Sequence, residues 1–350
     1  MKALVAYAPY DYRYEDFPYP VPGPGDIIIK IKGCGICAGD IKELNGLPDT
    51  WGTGNDDMII EPPEIPGHEF VGEIVEKSGD VTDFQLGDMV VAEQIIPCGE
   101  CFDCKSGEYW MCGKMQLFGL KNIAHGGFAE YAKIPKAALK HKVPGSFTVE
   151  QGVLIEPYAC GMHAAERAHV RHTDVVVVAG LGMIGCAITN IIRLSLPRLI
   201  IGIDGNSERL KFAKSFGAEV VLNPDECDVP AEIYNLTHGL GCDVYIDASG
   251  HPASAMQGLS SLRNHGRFVQ IGQYPGDVTA NWNLIGDGKE LTVVGSHLSA
   301  FCYPPVIKGI ENGLLRTEGL ISHTFALKDW RAGFEYPKIN KGAMKIMLAP

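Results

Sequence analysis

Positive charge is scarce in this 350-residue sequence: 30 Lys and Arg stand against 42 Asp and Glu, giving a net charge of −12. A surface of that sign repels polyphosphates, so no nucleic-acid partner is expected and a small-molecule partner is favoured. Long hydrophobic runs are missing too. Met1 to Ala8 leads straight into an alternating pattern with no basic n-region. No signal peptide, transmembrane helix or membrane partner is therefore expected, and the protein is read as cytoplasmic. The chain is not short of apolar residues, at 46% hydrophobic against 21% charged, which excludes disorder. Its length exceeds the size at which one core usually stops growing, so two domains are expected.

Eleven cysteines would suggest disulfides in a small secreted domain. Here Cys98, Cys101, Cys104 and Cys112 have the spacing C-x2-C-x2-C-x7-C. Four thiolates so close in sequence can close a tetrahedral shell by themselves, so metal is the better explanation. A closed four-sulfur shell leaves no open coordination position and is expected to be structural. A nucleic-acid-binding zinc ribbon would need a basic face, which Glu100, Asp103 and Glu108 do not supply.

Residues 1 to about 145 carry short β signals at Ile27–Ile31, Glu69–Glu76, Asp88–Ala92 and Phe128–Lys133, punctuated by Gly and Pro. Tyr7–Pro24 and Trp51–Pro66 are rich in Pro and are expected to be long surface loops. From about Phe147 the pattern changes. Apolar strands Val175–Val178, Leu199–Ile203, Val244–Ile246 and Phe268–Ile271 alternate with helical stretches such as Ser207–Phe216, which is βαβ logic.

Val175 to Ala179 is followed by Gly180-Leu181-Gly182-Met183-Ile184-Gly185, a buried strand leading through G-x-G-x-x-G into a helix. Gly180 permits the tight turn, Gly182 lets a pyrophosphate approach the backbone with Met183 and Ile184 opening the helix, and Gly185 lets helix pack on strand. Asp204 ends the next strand, where a carboxylate can accept hydrogen bonds from an adenosine ribose and repel a 2′-phosphate, and Arg209 joins the expected cofactor-binding set. NAD is thus expected over NADP. A second, dispersed set of metal-ligand types comprises Cys37, His68, Glu69 and Glu156. Each is weak evidence alone; beside the cysteine quartet and the dinucleotide fingerprint they gain weight.

In this order, Gly35-Ile36-Cys37, Gly67-His68-Glu69, the quartet, Glu156-Pro157 and the fingerprint make the chain resemble the zinc-containing medium-chain dehydrogenase/reductase superfamily over essentially its whole length. The resemblance implies an α/β fold with a GroES-like β domain and a Rossmann doubly wound parallel sheet. The expected divisions are 1–146 for the GroES-like catalytic domain with its structural zinc loop, 147–297 for the NAD-binding domain, and 298–350 for a segment returning to the catalytic domain. It implies two zinc ions per chain, the second held by Cys37, His68 and Glu69 or Glu156, and a homodimer or homotetramer. Glu156-Pro157 is similar to the polyol branch, above all the erythritol/threitol and arabitol type. Leu298 stands where sorbitol dehydrogenases are expected to carry a polyol-contacting arginine.

One departure lies near the metal. Cys37-Ala38-Gly39-Asp40 puts glycine where the family usually has the first hydroxyl of a proton relay. Lys42 or Glu156 is the alternative proton route, and the sequence does not choose between them. Phe118 and His297 are expected to line the substrate pocket. The expected function is oxidation of a short linear polyol to the ketose with hydride transfer to NAD. Sorbitol, threonine or glucose dehydrogenase activity is the alternative within the family, and a non-catalytic zinc- and nucleotide-binding structural protein is the alternative from another class.

Overall fold

The computed structural model describes residues 1–52, 59–120 and 124–350. The chain divides into two compact units, one of Met1–Glu156 with Tyr303–Pro350 and one of Pro157–Cys302. Residues 147–156 stay with the first unit because the short helix Val149–Val153 lies on its sheet. An added Cβ on Gly33 would come within 2.9 Å of Val149, and one on Gly152 within 2.8 Å of Val71. Thr148 starts that helix with a reciprocal capping box, its hydroxyl accepting from Gln151 N while its own N–H donates to Gln151 Oε1.

The first unit is built on a seven-stranded sheet. Along it run Ile321–Ala326, Lys345–Ala349, Ile27–Ile36, Glu69–Lys77, Met89–Ala92 and Lys140–Lys142, with Tyr131–Ile134 also paired to Ile27–Ile36. Ile27–Ile36 is the spine, with most of its residues buried. In its register Gly35 pairs with Glu69 on one side and with Met347 on the other. Cys37 just beyond this strand, His68 just before its neighbour and Lys345 at the start of the other neighbour are thereby gathered at one end of the sheet. The core beneath includes Ile29, Phe70, Ile74, Phe118, Phe128, Trp330 and Phe334.

Tyr7–Pro24 is not a continuous loop. Asp11–Asp16 forms a strand paired antiparallel with Lys2–Ala8, and Tyr12 is buried on it. The expectation of loop there rests on Tyr and Pro content, whereas Lys2–Ala8 supplies the missing backbone partners and the core takes the Tyr12 ring. Of the expected loop Trp51–Pro66, residues 53–58 lie outside the described residues.

The second unit is a six-stranded sheet, all of its pairings parallel. In chain order its strands are Val175–Ala179, Leu199–Ile203, Val220–Leu222, Cys242–Asp247, Leu262–Gln270 and Thr292–Gly295, and they lie in the spatial order 3-2-1-4-5-6 of a Rossmann sheet. Every residue of Val175–Ala179 is buried, as expected of a strand covered on both faces. Helix Ser207–Phe216 starts where Asn206 caps Glu208 N and Arg209 N and stops at Gly217, whose φ of +117° suits only glycine. Among the described residues no helix is long and apolar enough to cross a membrane.

Candidate active site

Cys37 is the N-cap of helix Ala38–Leu44. Its backbone N–H donates to Asp40 Oδ2 at 2.7 Å, so the acidic side chain one turn on clamps the cysteine in place. Gly67, at φ +94°, turns the chain into the next strand, and a Cβ there would strike Cys34 Sγ and Phe128 at 2.9 Å. That turn delivers His68 and Glu69. Ligand atoms of Cys37, His68 and Glu69 all lie within 4.8 Å of one another.

The electrostatics of the cluster call for a cation. Burial works against charging His68, but its bond to Cys37 and the Asp40 carboxylate, 3.8 Å from Nδ1, outweigh that cost and hold its pKa well above the ordinary value. Glu69 is 2% exposed; its Oε1 accepts from Lys345 Nζ at 2.5 Å, while Oε2 is buried with no hydrogen-bond partner among the described residues. A thiolate, an imidazole and an unsatisfied carboxylate oxygen make a donor set that suits zinc. Glu156 is buried beside this cluster without being one of the three; its Oε1 accepts from Gln94 Nε2 at 2.5 Å, and its charge is felt by both His68 and Lys345.

The cysteine quartet is also assembled. Cys98 Sγ is 4.0 Å from Cys104 Sγ, and Cys101 Sγ is 3.8 Å from Cys112 Sγ. A tetrahedron with Zn–S bonds of about 2.3 Å has edges of ~3.8 Å. Backbone N–H groups of Glu100 and Cys101 point at Cys98 Sγ and lower its pKa to about 6, whereas burial pushes Cys104 up to about 12. The lobe thus favours negative charge on Cys98, as a cation-binding thiolate shell requires.

In the second unit, Gly180 has φ +84°, and a Cβ there would lie 2.5 Å from Ser249 Cα; at Gly185 it would lie 1.8 Å from Gly180 O. Gly182 differs. Among the described residues nothing approaches its Cβ position within 4 Å except Arg209 Nη1 at 3.8 Å, leaving space at the N-terminus of helix Met183–Ile192 with a guanidinium alongside. Asp204 Oδ2 accepts from Leu181 N and Oδ1 from Asn206 N, each at 2.8 Å. The carboxylate therefore also braces the glycine-rich turn.

Of the other expected residues, Lys42 and Phe118 lie in the first unit and His297 in the second. Lys42 is on the exposed side of its helix, while the buried positions there are Asp40 and Glu43. The ring of Phe118 is fully buried, edge-on to Phe70 at 5.2 Å, which makes it a core residue with no face open to substrate. His297 is exposed, and its carbonyl oxygen lies 3.0 Å from His163 Nδ1.

Residues 23–145 match the family described as the alcohol dehydrogenase GroES-like domain, and residues 180–312 match the zinc-binding dehydrogenase family. An erythritol/L-threitol dehydrogenase of Mycolicibacterium smegmatis is 39% identical over 100% of this chain and 98% of its own length. The chain belongs to the zinc-containing medium-chain dehydrogenase/reductase family. A sorbitol dehydrogenase of Halalkalibacterium halodurans is 31% identical over 100% of this chain and 99% of its own. The crystal structure of 2R,3R-butanediol dehydrogenase from Bacillus subtilis superposes with a TM-score of 0.89 at 29% identity, covering 100% of this chain and 99% of that one. As a member of this family the protein is a zinc-type alcohol or polyol dehydrogenase acting on a small substrate.

Sequence reasoning missed Asp40, Gln94 and Lys345. Asp40 carries a local signal, since an acidic residue three positions after an N-cap marks a capping box. Gln94 and Lys345 carry none, because their partners are 62 and 276 residues away.

Proposed function

We propose that the protein oxidises a short linear polyol, of four or five carbons, at a secondary carbon beside a terminal hydroxymethyl group, yielding the ketose and passing the hydride to NAD. One observation carries the substrate class: the Glu156 carboxylate, fixed by Gln94, beside the Cys37, His68 and Glu69 cluster. A carboxylate there can accept a hydrogen bond from a second hydroxyl next to the reacting one, which a simple alcohol does not have. The likeness to an erythritol/L-threitol dehydrogenase supports the same class. By the family resemblance, Leu298 stands where sorbitol dehydrogenases are expected to carry a polyol-contacting arginine, so six-carbon polyols should gain little from their extra hydroxyls.

Cys37 and His68, with Glu69 or Glu156, would hold the zinc, which supplies Lewis acidity to a substrate hydroxyl. Asp40 fixes Cys37 through its backbone and faces His68. Lys345 occupies one oxygen of Glu69 and leaves the other for the cluster. Of the two proton routes, the buried placement of Glu156 beside the cluster favours it over the exposed Lys42. The quartet would hold the second, structural zinc. In the second unit, Gly182 and the start of its helix would receive the NAD pyrophosphate, Arg209 would neutralise it, and Asp204 would bind the adenosine ribose.

The test is initial NADH formation by zinc-loaded protein with ethanol, threonine, glucose, erythritol, threitol, arabitol, xylitol and sorbitol at equal concentration. A four- or five-carbon polyol should be fastest. If ethanol, threonine or glucose outruns every polyol, the substrate class is wrong; if sorbitol outruns the shorter polyols, only the chain-length reading falls.

A further inference from the structure

The adjacent residues Glu93 and Gln94 are both buried, and they reach in different directions. Gln94 donates to Glu156 through Nε2, and its backbone oxygen is held by Phe118 N at 3.0 Å. Glu93 reaches the cysteine lobe: its Oε2 accepts from Tyr109 Oη at 2.6 Å. Tyr109 opens the single helical turn Tyr109–Met111, and its carbonyl accepts from Cys112 N at 3.1 Å. It therefore stands on the chain between the third and fourth cysteines of the quartet.

A second path joins the two residues. Glu93 Oε1 is 3.0 Å from His141 Nε2, within hydrogen-bond distance. The His141 ring stacks on Tyr303, with centroids 5.3 Å apart and planes at 26°. Tyr303 Oη in turn donates to Gln94 Oε1 at 3.5 Å. Glu93 and Gln94 are thus linked by their shared backbone and by this side-chain circuit, in which only His141 is part-exposed. Buried, charge-assisted hydrogen bonds of this kind hold side chains in one arrangement, because an unpaired carboxylate would be costly.

We propose that Glu93 and Gln94 act as a strut through which the four-cysteine lobe positions the Glu156 carboxylate. They are positioning residues: the lobe stabilises the fold and also sets where a reacting group stands. The inference rests on the reading of Glu156 as part of a polyol-oxidising metal site. It assigns the quartet loop an influence on turnover that a purely structural metal would not have.

The experiment compares wild type, Tyr109→Phe, Gln94→Met and the double variant, all as zinc-loaded protein with two metals per chain verified. Gln94→Met should lower kcat for the best polyol at least about tenfold, with KM changed far less, the loss associated with one hydrogen bond to a charged group. Tyr109→Phe should lower kcat about threefold or more while keeping both metals. The double variant should be no slower than Gln94→Met alone, because Tyr109 acts through Gln94. Additive losses, or a Tyr109→Phe enzyme with wild-type kcat, would overturn the strut. If Tyr109→Phe loses the quartet metal, Glu93→Gln makes the same test with the lobe untouched.

A readout independent of turnover is the visible spectrum of protein carrying cobalt at the Cys37/His68 site and zinc in the quartet, recorded without substrate. Its bands should shift in Tyr109→Phe as they do in Gln94→Met; an unchanged spectrum in Tyr109→Phe refutes the coupling. Wild type that oxidises no polyol would instead sink the functional reading, with the spectrum still deciding on the strut.

Discussion

Replacing Lys345 by methionine removes the charged partner of a deeply buried carboxylate. Lys345 is 5% exposed and Glu69 2%, with Nζ 2.5 Å from Oε1 and 3.0 Å from Ile36 O. Burial opposes the ammonium, but the Glu69 charge and hydrogen bond together with the charges of Cys37 and Glu156 outweigh it and raise the lysine pKa above its ordinary 10.5. A raised lysine pKa means the pair's contribution is fully present below 10.5, so it holds through the usual assay range. In Lys345→Met, the Glu69 carboxyl would lose its ammonium partner in a site where Oε2 already lacks a hydrogen-bond partner among the described residues. Breaking a buried pair from one side costs about 3–5 kcal/mol. At ~2–4 °C per kcal/mol for a unit of this size, Tm should fall by roughly 6–20 °C.

The assay is a double-mutant cycle of Lys345→Met, Glu69→Gln and the pair, read by denaturant unfolding. Each single variant strands a charge or a polar group and the double variant strands neither charge, so the double loss should be smaller than the sum by about 2 kcal/mol or more. Repeating the cycle with and without zinc at the Cys37/His68 site adds a second arm. A cation near Oε2 would substitute for the lost ammonium, so the Lys345→Met penalty should shrink when zinc is bound. Additivity within about 0.5 kcal/mol would refute the pairing argument, and a penalty indifferent to zinc would refute the placement of a metal beside Glu69.

Other outcomes are expected of the same structure. Elemental analysis of metal-replete protein should give two zinc per chain; Cys101→Ser should reduce this to one and lower Tm, while His68→Ala should reduce it to one, keep the fold and abolish polyol oxidation. Zinc uptake by the emptied quartet at pH 7.5 should release fewer than four protons per ion: with its pKa lowered to about 6, Cys98 is already a thiolate there, whereas Cys104, raised to about 12, must give up its proton. Calorimetry in buffers of different ionisation enthalpy measures this, and four protons released would contradict the N–H···S argument. Wild type should favour NAD over NADP in kcat/KM, and Asp204→Ala should shrink that ratio at least about tenfold by removing the charge that repels a 2′-phosphate; a wild-type preference for NADP would refute the role of Asp204.

The features legible in the sequence are those local in the chain. Helix Ser207–Phe216 is bounded by its own cap and stop residues, Asn206 and Gly217, and its limits can be read directly. The quartet spans fifteen residues and declares itself by spacing. The all-apolar strand before Gly180 announces a sheet covered on both faces. Tyr7–Pro24 misleads because a strand takes its backbone partners from another segment, and its Pro and Tyr content says nothing about that partner. Phe118 is expected near substrate, yet the fold turns its ring toward Phe70 and the core.

The dispersed site shows why the rest is hidden. Gly35 pairs with Glu69 across one strand boundary and with Met347 across the other, so one register brings together two early strands and the last strand of the chain. A shift of one residue in either pairing would turn the affected strand's side chains to the opposite face. Lys345 would then leave Glu69, or Glu69 would leave Cys37. Cys37 and His68 can be suspected because thiol and imidazole are ligand types wherever they fall. A lysine or a glutamine is ordinary on any surface, and only the register makes Lys345 the counter-charge of Glu69. The same holds for Gln94, whose task is fixed by where helix Ile155–Ala168 delivers Glu156. Metal-ligand chemistry can therefore be anticipated from residue type, but the residues that aim it emerge only once the sheet is paired.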